Sequence, residues 1–172
     1  MPNLVVEIGT EELPVDALDV IYSELTRKAA ELFQKNRLSF KKIEAEATPR
    51  RIAFFADSLA ARQEDIISEI SGPTHEKAYD ANGAPTPALE GFLKSKNAKP
   101  ADIQIRETPR GKYVVLRKKQ AGRPANSLLP ALLKEIFEAL SFPKTMRWEK
   151  TGFRYARPVR WIVALLDKQL IP

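Results

Sequence analysis

The chain has 172 residues, 44% of them hydrophobic and 29% charged, and a formal net charge of +6; this is an ordinary globular composition, enough to bury a core in one domain or two small ones. With no cysteine and a single histidine, His75, disulfides and thiolate metal sites are excluded, and little is left for imidazole-based metal or nucleophile chemistry. No apolar run of about 18 residues occurs, so no transmembrane helix is expected, and Met1-Pro2-Asn3-Leu4 lacks the basic stretch and apolar core of a signal peptide.

Leu4 to Ile8 is short and β-branched and reads as a buried strand that Gly9 interrupts. Pro14 suits a helix start, and Leu18, Ile21, Tyr22, Leu25, Ala29, Leu32 and Phe33 keep the i, i+3, i+4, i+7 spacing, which predicts a helix over 15–35. Strands are expected over 43–48 and 51–57, with Thr48-Pro49-Arg50 bending the chain between them, and over 66–71 before Gly72-Pro73. A short helix is expected from 86 or 87 to 96. Strands at 103–107 and 112–119 flank the loop Thr108-Pro109-Arg110-Gly111.

Leu128 to Leu140 reads as a second amphipathic helix, capped by Asn126 or Ser127, with Pro130 tolerated in its first turn. Residues 160–166 form a further apolar strand, in which Trp161 is expected to face the core. Gln169 to Pro172 reads as the opening of one more strand left without a partner, as if the chain were cut there. The fold class is α+β, a mixed or antiparallel sheet packed with helices. Residues 1–72 and 144–172 are expected to share the sheet-containing core, and 73–143 to form an inserted helical and hairpin subdomain.

The charge is uneven along the chain. Residues 1–100 carry 13 Lys/Arg and 16 Asp/Glu, and residues 101–172 carry 15 and 6, so the net passes from −3 to +9. Such a field suits a polyanion, because Lys and Arg release condensed counterions on meeting phosphates; a solvated basic face is the alternative. Lys144, Arg147, Lys150, Arg154, Arg157 and Arg160 are interleaved with Trp148, Phe153, Tyr155 and Trp161, a mixture suited to stacking on and neutralising RNA. The same arginines could instead pair with the acidic half or with another subunit. Arg50 and Arg51 present two guanidinium forks, for phosphates or for internal ion pairs. Arg110, Lys112, Arg117, Lys118, Lys119 and Arg123 form a second, lesser basic group around the hairpin. Glu7, Glu11 and Glu12 are read as structural carboxylates near a helix start, pairing with Arg50 or Arg51, in preference to a metal or acid–base site. His75 is read as a surface histidine.

Four blocks, in this order, resemble the opening of the β-subunit of the α2β2 glycyl-tRNA synthetases. They are Val6-Glu7-Ile8-Gly9-Thr10-Glu11-Glu12-Leu13-Pro14, Ala47-Thr48-Pro49-Arg50-Arg51, Lys144-Thr145-Met146-Arg147-Trp148, and Phe153 with Arg157-Pro158-Val159-Arg160-Trp161. The resemblance covers essentially all 172 residues, roughly the first quarter of such a subunit; one departure is Val15, where the family often has a second proline. It implies a cytoplasmic glycine–tRNA ligase whose α-subunit makes glycyl-adenylate from ATP, with magnesium, while the β-subunit serves tRNA(Gly) binding and charging. No catalytic residue, cofactor or metal is then expected in this chain itself, and no Gly-rich phosphate loop is present in it. The function implied is a non-catalytic region serving tRNA engagement and assembly with the α-subunit. The candidate RNA contacts are Lys144, Arg147, Arg154, Arg157, Arg160, Arg50 and Arg51. The rival readings are a pure assembly scaffold and a stand-alone basic RNA-binding module.

Overall fold

The computed structural model describes residues 1–172 except 81, 110, 149 and 151. In chain order the elements are β1 (Leu4–Thr10), α1 (Val15–Lys35), β2 (Lys42–Thr48), β3 (Arg51–Asp57), β4 (Ile66–Thr74), α2 (His75–Ala78) and α3 (Pro87–Lys96). After a 3₁₀ turn (Pro100–Asp102) come β5 (Ile103–Thr108), β6 (Gly111–Gln120), α4 (Ala125–Glu138), β7 (Met146–Arg147), β8 (Arg154–Tyr155), β9 (Val159–Leu166) and β10 (Gln169–Leu170). The chain divides into two compact units, residues 1–64 with 122–172, and residues 65–121.

The first unit is a five-stranded sheet ordered β10-β9-β1-β3-β2, antiparallel at every junction. Strand period two puts Leu4, Val6 and Ile8 of β1 on one face beside Ile52, Phe54 and Ala56 of β3, and all six are buried. Helix α1 supplies Ala17, Ile21, Leu25, Ala29, Leu32 and Phe33 to the same core. It starts behind Pro14 with Asp16 in its first turn, where a carboxylate favours the positive helix end. It stops where Arg37 turns left-handed (φ 54), with the Leu38 amide donating to the Phe33 carbonyl at 2.9 Å. Helix α4 adds Leu129, Leu132, Leu133, Ile136 and Phe137. It begins at Ala125, directly behind Pro124. Pro130 therefore sits inside the helix, not in its first turn as expected, and has no N–H to donate to the Asn126 carbonyl.

The chain's last residues differ from expectation. Asp167 adopts φ 50 in a tight turn, its amide donating to the Asn3 carbonyl at 2.7 Å while its carboxylate accepts from the Asn3 amide at 2.7 Å. Strand β10 then pairs with β9 (Gln169↔Leu166, Leu170↔Leu165), and Ile171 is buried, its amide donating to the Ala164 carbonyl at 2.9 Å. The strand expected to be bare is paired.

The sequence alone puts the insertion at 73–143, whereas the second unit spans 65–121. The difference has a packing cause: β4 pairs with β6, and α4 buries its apolar face in the first unit's core. The two segments that bound the insertion are laced together within the first unit. The Gln63 amide donates to the Arg123 carbonyl at 2.9 Å and the Ala125 amide to the Ala61 carbonyl at 2.8 Å. Arg62 Nη2 donates to the Gly122 carbonyl at 2.8 Å. The buried Gln63 side chain accepts from the Arg123 amide and donates to the Asn36 carbonyl.

The second unit is a three-stranded antiparallel sheet ordered β4-β6-β5. A small core of Ala78, Leu89, Leu93 and Val114 joins it to α2 and α3. Gly72-Pro73 does not end β4, as expected; the strand runs to Thr74 through a break in register after Ser71. His75 is half-buried, its ring 5.1 Å from that of Tyr79.

Candidate functional site

The segment following β1 is gripped from both sides. The Thr10 amide donates to the Arg50 carbonyl at 3.0 Å and the Leu13 amide to the Pro49 carbonyl at 2.6 Å, fixing it to the β2–β3 turn. From the other side, the Glu11 amide donates to the Pro158 carbonyl at 3.0 Å and Arg157 Nε to the Glu12 carbonyl at 2.9 Å. Each of the three carboxylates faces an arginine: Glu7 meets Arg51 at 3.9 Å, Glu11 meets Arg160 at 3.4 Å, and Glu12 meets Arg50 at 3.7 Å. All three pairs are solvent-exposed and loose, so each contributes little stability and serves mainly to orient the side chains. No group of three or more His, Cys, Asp or Glu among the described residues is arranged to hold a metal ion.

Beside this cluster, β7 and β8 form a two-residue ladder, Met146↔Tyr155 and Arg147↔Arg154. Arg154 is tied to its own hairpin through Thr145 Oγ1 and the Thr145 carbonyl, both at 3.1 Å. The Trp148 indole N–H donates to the Tyr155 carbonyl at 3.0 Å. Tyr155 anchors the hairpin: it is 2% exposed, packed edge-on to Phe142 at 4.8 Å and stacked on Phe153 at 5.6 Å. Its hydroxyl has no hydrogen-bond partner among the described residues, and burial pushes its pKa far above the ordinary tyrosine range. An unpaired buried hydroxyl costs its desolvation. Tyr155→Phe is therefore expected to raise the stability of the first unit by about 1 kcal/mol in urea unfolding; a loss of similar size would show that the hydroxyl holds a bound partner.

Trp161 is not in the core. Leu4↔Leu166, Val6↔Ala164 and Ile8↔Ile162 are the register pairs on the helix-covered side, so Trp161, Val163 and Leu165 fall on the opposite, uncovered face with Val5, Ala53 and Phe55. Trp161 is 43% exposed. Its ring lies flat across Gly9, where any Cβ would overlap the indole, and its N–H donates to Glu7 Oε1 at 3.2 Å. Arg51 stands 6.0 Å from the ring centroid. Gly9 thus continues β1 instead of breaking it, and the register shifts only after it, between Gly9 and Thr10. A glycine inside an apolar strand is a signal of close approach, and it was the available clue to this stacking.

Of the seven candidate RNA contacts, Arg50, Arg51, Arg154, Arg157 and Arg160 thus have partners within the chain. Lys144 and Arg147 are exposed and show no side-chain partner among the described residues. The hairpin cations lie in the second unit, apart from Arg123 in the first. Lys112 meets Glu107 at 2.8 Å, and that hydrogen bond holds the Glu107 carboxyl below its usual range. Lys119 meets Asp65 at 2.8 Å, and Arg106 meets Glu69 at 2.7 Å. Arg110 lies outside the described residues. The positive charge of the chain's last 72 residues is consequently shared out: the first unit holds 18 Lys/Arg to 15 Asp/Glu, and the second 10 to 7.

All four sequence blocks that carry the resemblance meet in the first unit, the opening block held between the second and the fourth, and the third in the hairpin beside them. The family model of the glycyl-tRNA synthetase beta subunit matches residues 4–172. The chain belongs to this family. Among its relatives are glycine–tRNA ligase beta subunits of Moorella thermoacetica, 41% identical over 99% of this chain and 24% of the relative, and of Desulfitobacterium hafniense, 39% identical over 99% and 25%. The Hahella chejuensis beta subunit is 40% identical over 98% of this chain and 24% of its own length. The chain therefore spans about a quarter of the length of the curated beta subunits it matches. No helix among the described residues is long and apolar enough to cross a membrane.

Proposed function

We propose that this chain is a non-catalytic region of an ATP-dependent glycine–tRNA ligase, serving tRNA(Gly) engagement and assembly with the α-subunit in the cytoplasm. Beta-subunit relatives matched over nearly the whole chain support the enzyme class. ATP, with magnesium, belongs in this reading to the α-subunit of an α2β2 tetramer.

The single observation that carries the RNA part is the projecting hairpin. Lys144, Arg147 and Trp148 are exposed there, two of them cations without a partner and the third an aromatic ring half-open to solvent. Phosphate contact and base stacking need this pairing of residue types. Arg154 backs the hairpin, and Arg157, Arg160, Arg50 and Arg51 edge the neighbouring cluster, exposed enough to add a phosphate contact to their internal pairs.

The test is a tRNA titration of the assembled ligase across salt, with Lys144→Gln and Arg147→Gln combined. Affinity is expected to fall, and the slope of log K against log salt to become shallower by about 0.7–0.9 for each phosphate no longer neutralised. Glycine activation is expected to be unchanged. An unaltered slope would favour the pure assembly scaffold. Retention of full tRNA affinity by the chain in the absence of any α-subunit would favour the stand-alone RNA-binding module.

A further inference from the structure

One edge of the first unit's sheet is unfinished. Strand β9 is covered by β1 along its whole length, from Val159 opposite Thr10 to Leu166 opposite Leu4. On its other side β10 pairs only with Leu165 and Leu166, and the Ile171 amide reaches the Ala164 carbonyl. That last bond fixes which way the backbone points. In an antiparallel strand the N–H and C=O of one residue face the same side, and alternate residues share that side. Ala164 faces outward, so Ile162 and Arg160 do too, while Trp161 and Val163 bond to β1. The outward groups of Arg160 and Ile162 have no strand opposite them among the described residues.

The features that normally blunt such an edge are missing. Edge strands are commonly protected by inward charges, bulges, proline or a covering loop. Here the stretch is apolar and open on both faces: Ile162 is 60% exposed, Trp161 43% and Val163 41%. A groove of about 740 Å³ runs beside it, between Pro130, Leu133 and Phe137 of α4 and Ile8, Ile162 and Ala164 of the sheet. A strand laid along β9 in line with β10 would send alternate side chains into this groove and the others toward Trp161 and Val163. Free backbone groups beside an apolar trough flanked by a helix are the requirements for strand addition. An RNA strand has neither the peptide hydrogen-bond repeat nor the apolar side chains to satisfy them.

We propose that the edge of β9 from Val159 to Val163 takes an extended segment of the α-subunit, with apolar side chains at alternate positions, as an added strand of the sheet. The proposal rests on the assembly reading given above, which names the partner; the edge and the groove define what that partner must present.

The experiment reads hydrogen exchange residue by residue in the 172-residue chain, alone and with the α-subunit, alongside sedimentation. Trp161 and Val163 amides are expected to be protected throughout, because β1 already holds them. Arg160 and Ile162 amides are expected to exchange freely in the chain alone and to slow at least about tenfold on complex formation, each needing an opened hydrogen bond to exchange. Ile162→Pro is the companion variant: it removes only an outward N–H, which an edge position tolerates. Its fold should survive by circular dichroism while its α-subunit affinity falls at least about tenfold. A complex that forms without slowing Arg160 and Ile162 would overturn the inference and leave the assembly reading standing. Absence of any complex would sink both. Protection that instead grows with the chain's own concentration, or appears with tRNA alone, would show that a second copy or RNA takes the edge, and would equally overturn it.

Discussion

Phe33→Ala is expected to cost the first unit about 3–5 kcal/mol, the range for emptying a buried phenylalanine site. Phe33 is fully buried near the end of α1, with its ring 6.1 Å from both Phe40 and Phe54. It joins the helix to β3 across the middle of the core, and the sheet behind it is held on both sides, so the void cannot close by simple collapse. Against a total of about 5–15 kcal/mol for a folded protein, the loss is large. Both tryptophans, Trp148 and Trp161, lie in the first unit, so their fluorescence in a urea titration reports that unit alone. The midpoint should fall with the slope unchanged. A loss below about 1 kcal/mol would mean that Phe40 and Phe54 close the space, contrary to the packing described.

Gly122→Ala is expected to destabilise the same unit by about 1–3 kcal/mol, although it adds one methyl group to a loop. A Cβ at Gly122 would overlap the backbone carbonyl of Gln63. A flexible side chain could move aside; this backbone cannot, because the Gln63 amide is held by Arg123 and the Gln63 side chain by Asn36. Arg62 also grips the Gly122 carbonyl. The lacing must loosen, and the closure around the insertion loosens with it. Thermal unfolding followed by tryptophan fluorescence checks this, and an unchanged midpoint would show that the two segments separate at no cost.

Much of the fold was legible because the deciding signals were local. Helix α1 occupies the expected 15–35, since its apolar spacing and the proline before it act within a few turns. The pairing of Glu12 with Arg50 and of Glu7 with Arg51 was also anticipated, from carboxylates close to a bend rich in arginine. What local signals could not give was sidedness. Alternation puts Arg160 and Ile162 on one face and Trp161 and Val163 on the other, yet it does not say which face is covered. That is settled by register against β1, whose Glu7 lies 154 positions from the Trp161 it binds. The limits of the insertion were missed for a related reason. An amphipathic helix such as α4 carries no mark of which core it joins, and the contact of Gly122 with Gln63 joins residues far apart in sequence.

The pairing of β1 with β9 also fixes an order of events during synthesis. The second unit, 65–121, is one continuous stretch and has every residue it needs once it has emerged. The first unit does not: Leu4 waits for Leu166. At translation rates of about 5–20 residues per second, the opening strand is without its second neighbour for roughly 8–30 s. Residues 1–64 are made first, but their unit is completed last. A nascent chain interrupted before β9 therefore lacks a central neighbour of its first strand and leaves an apolar ladder open to other chains. Such a product is a case for chaperones or proteases, while its middle section can already be folded.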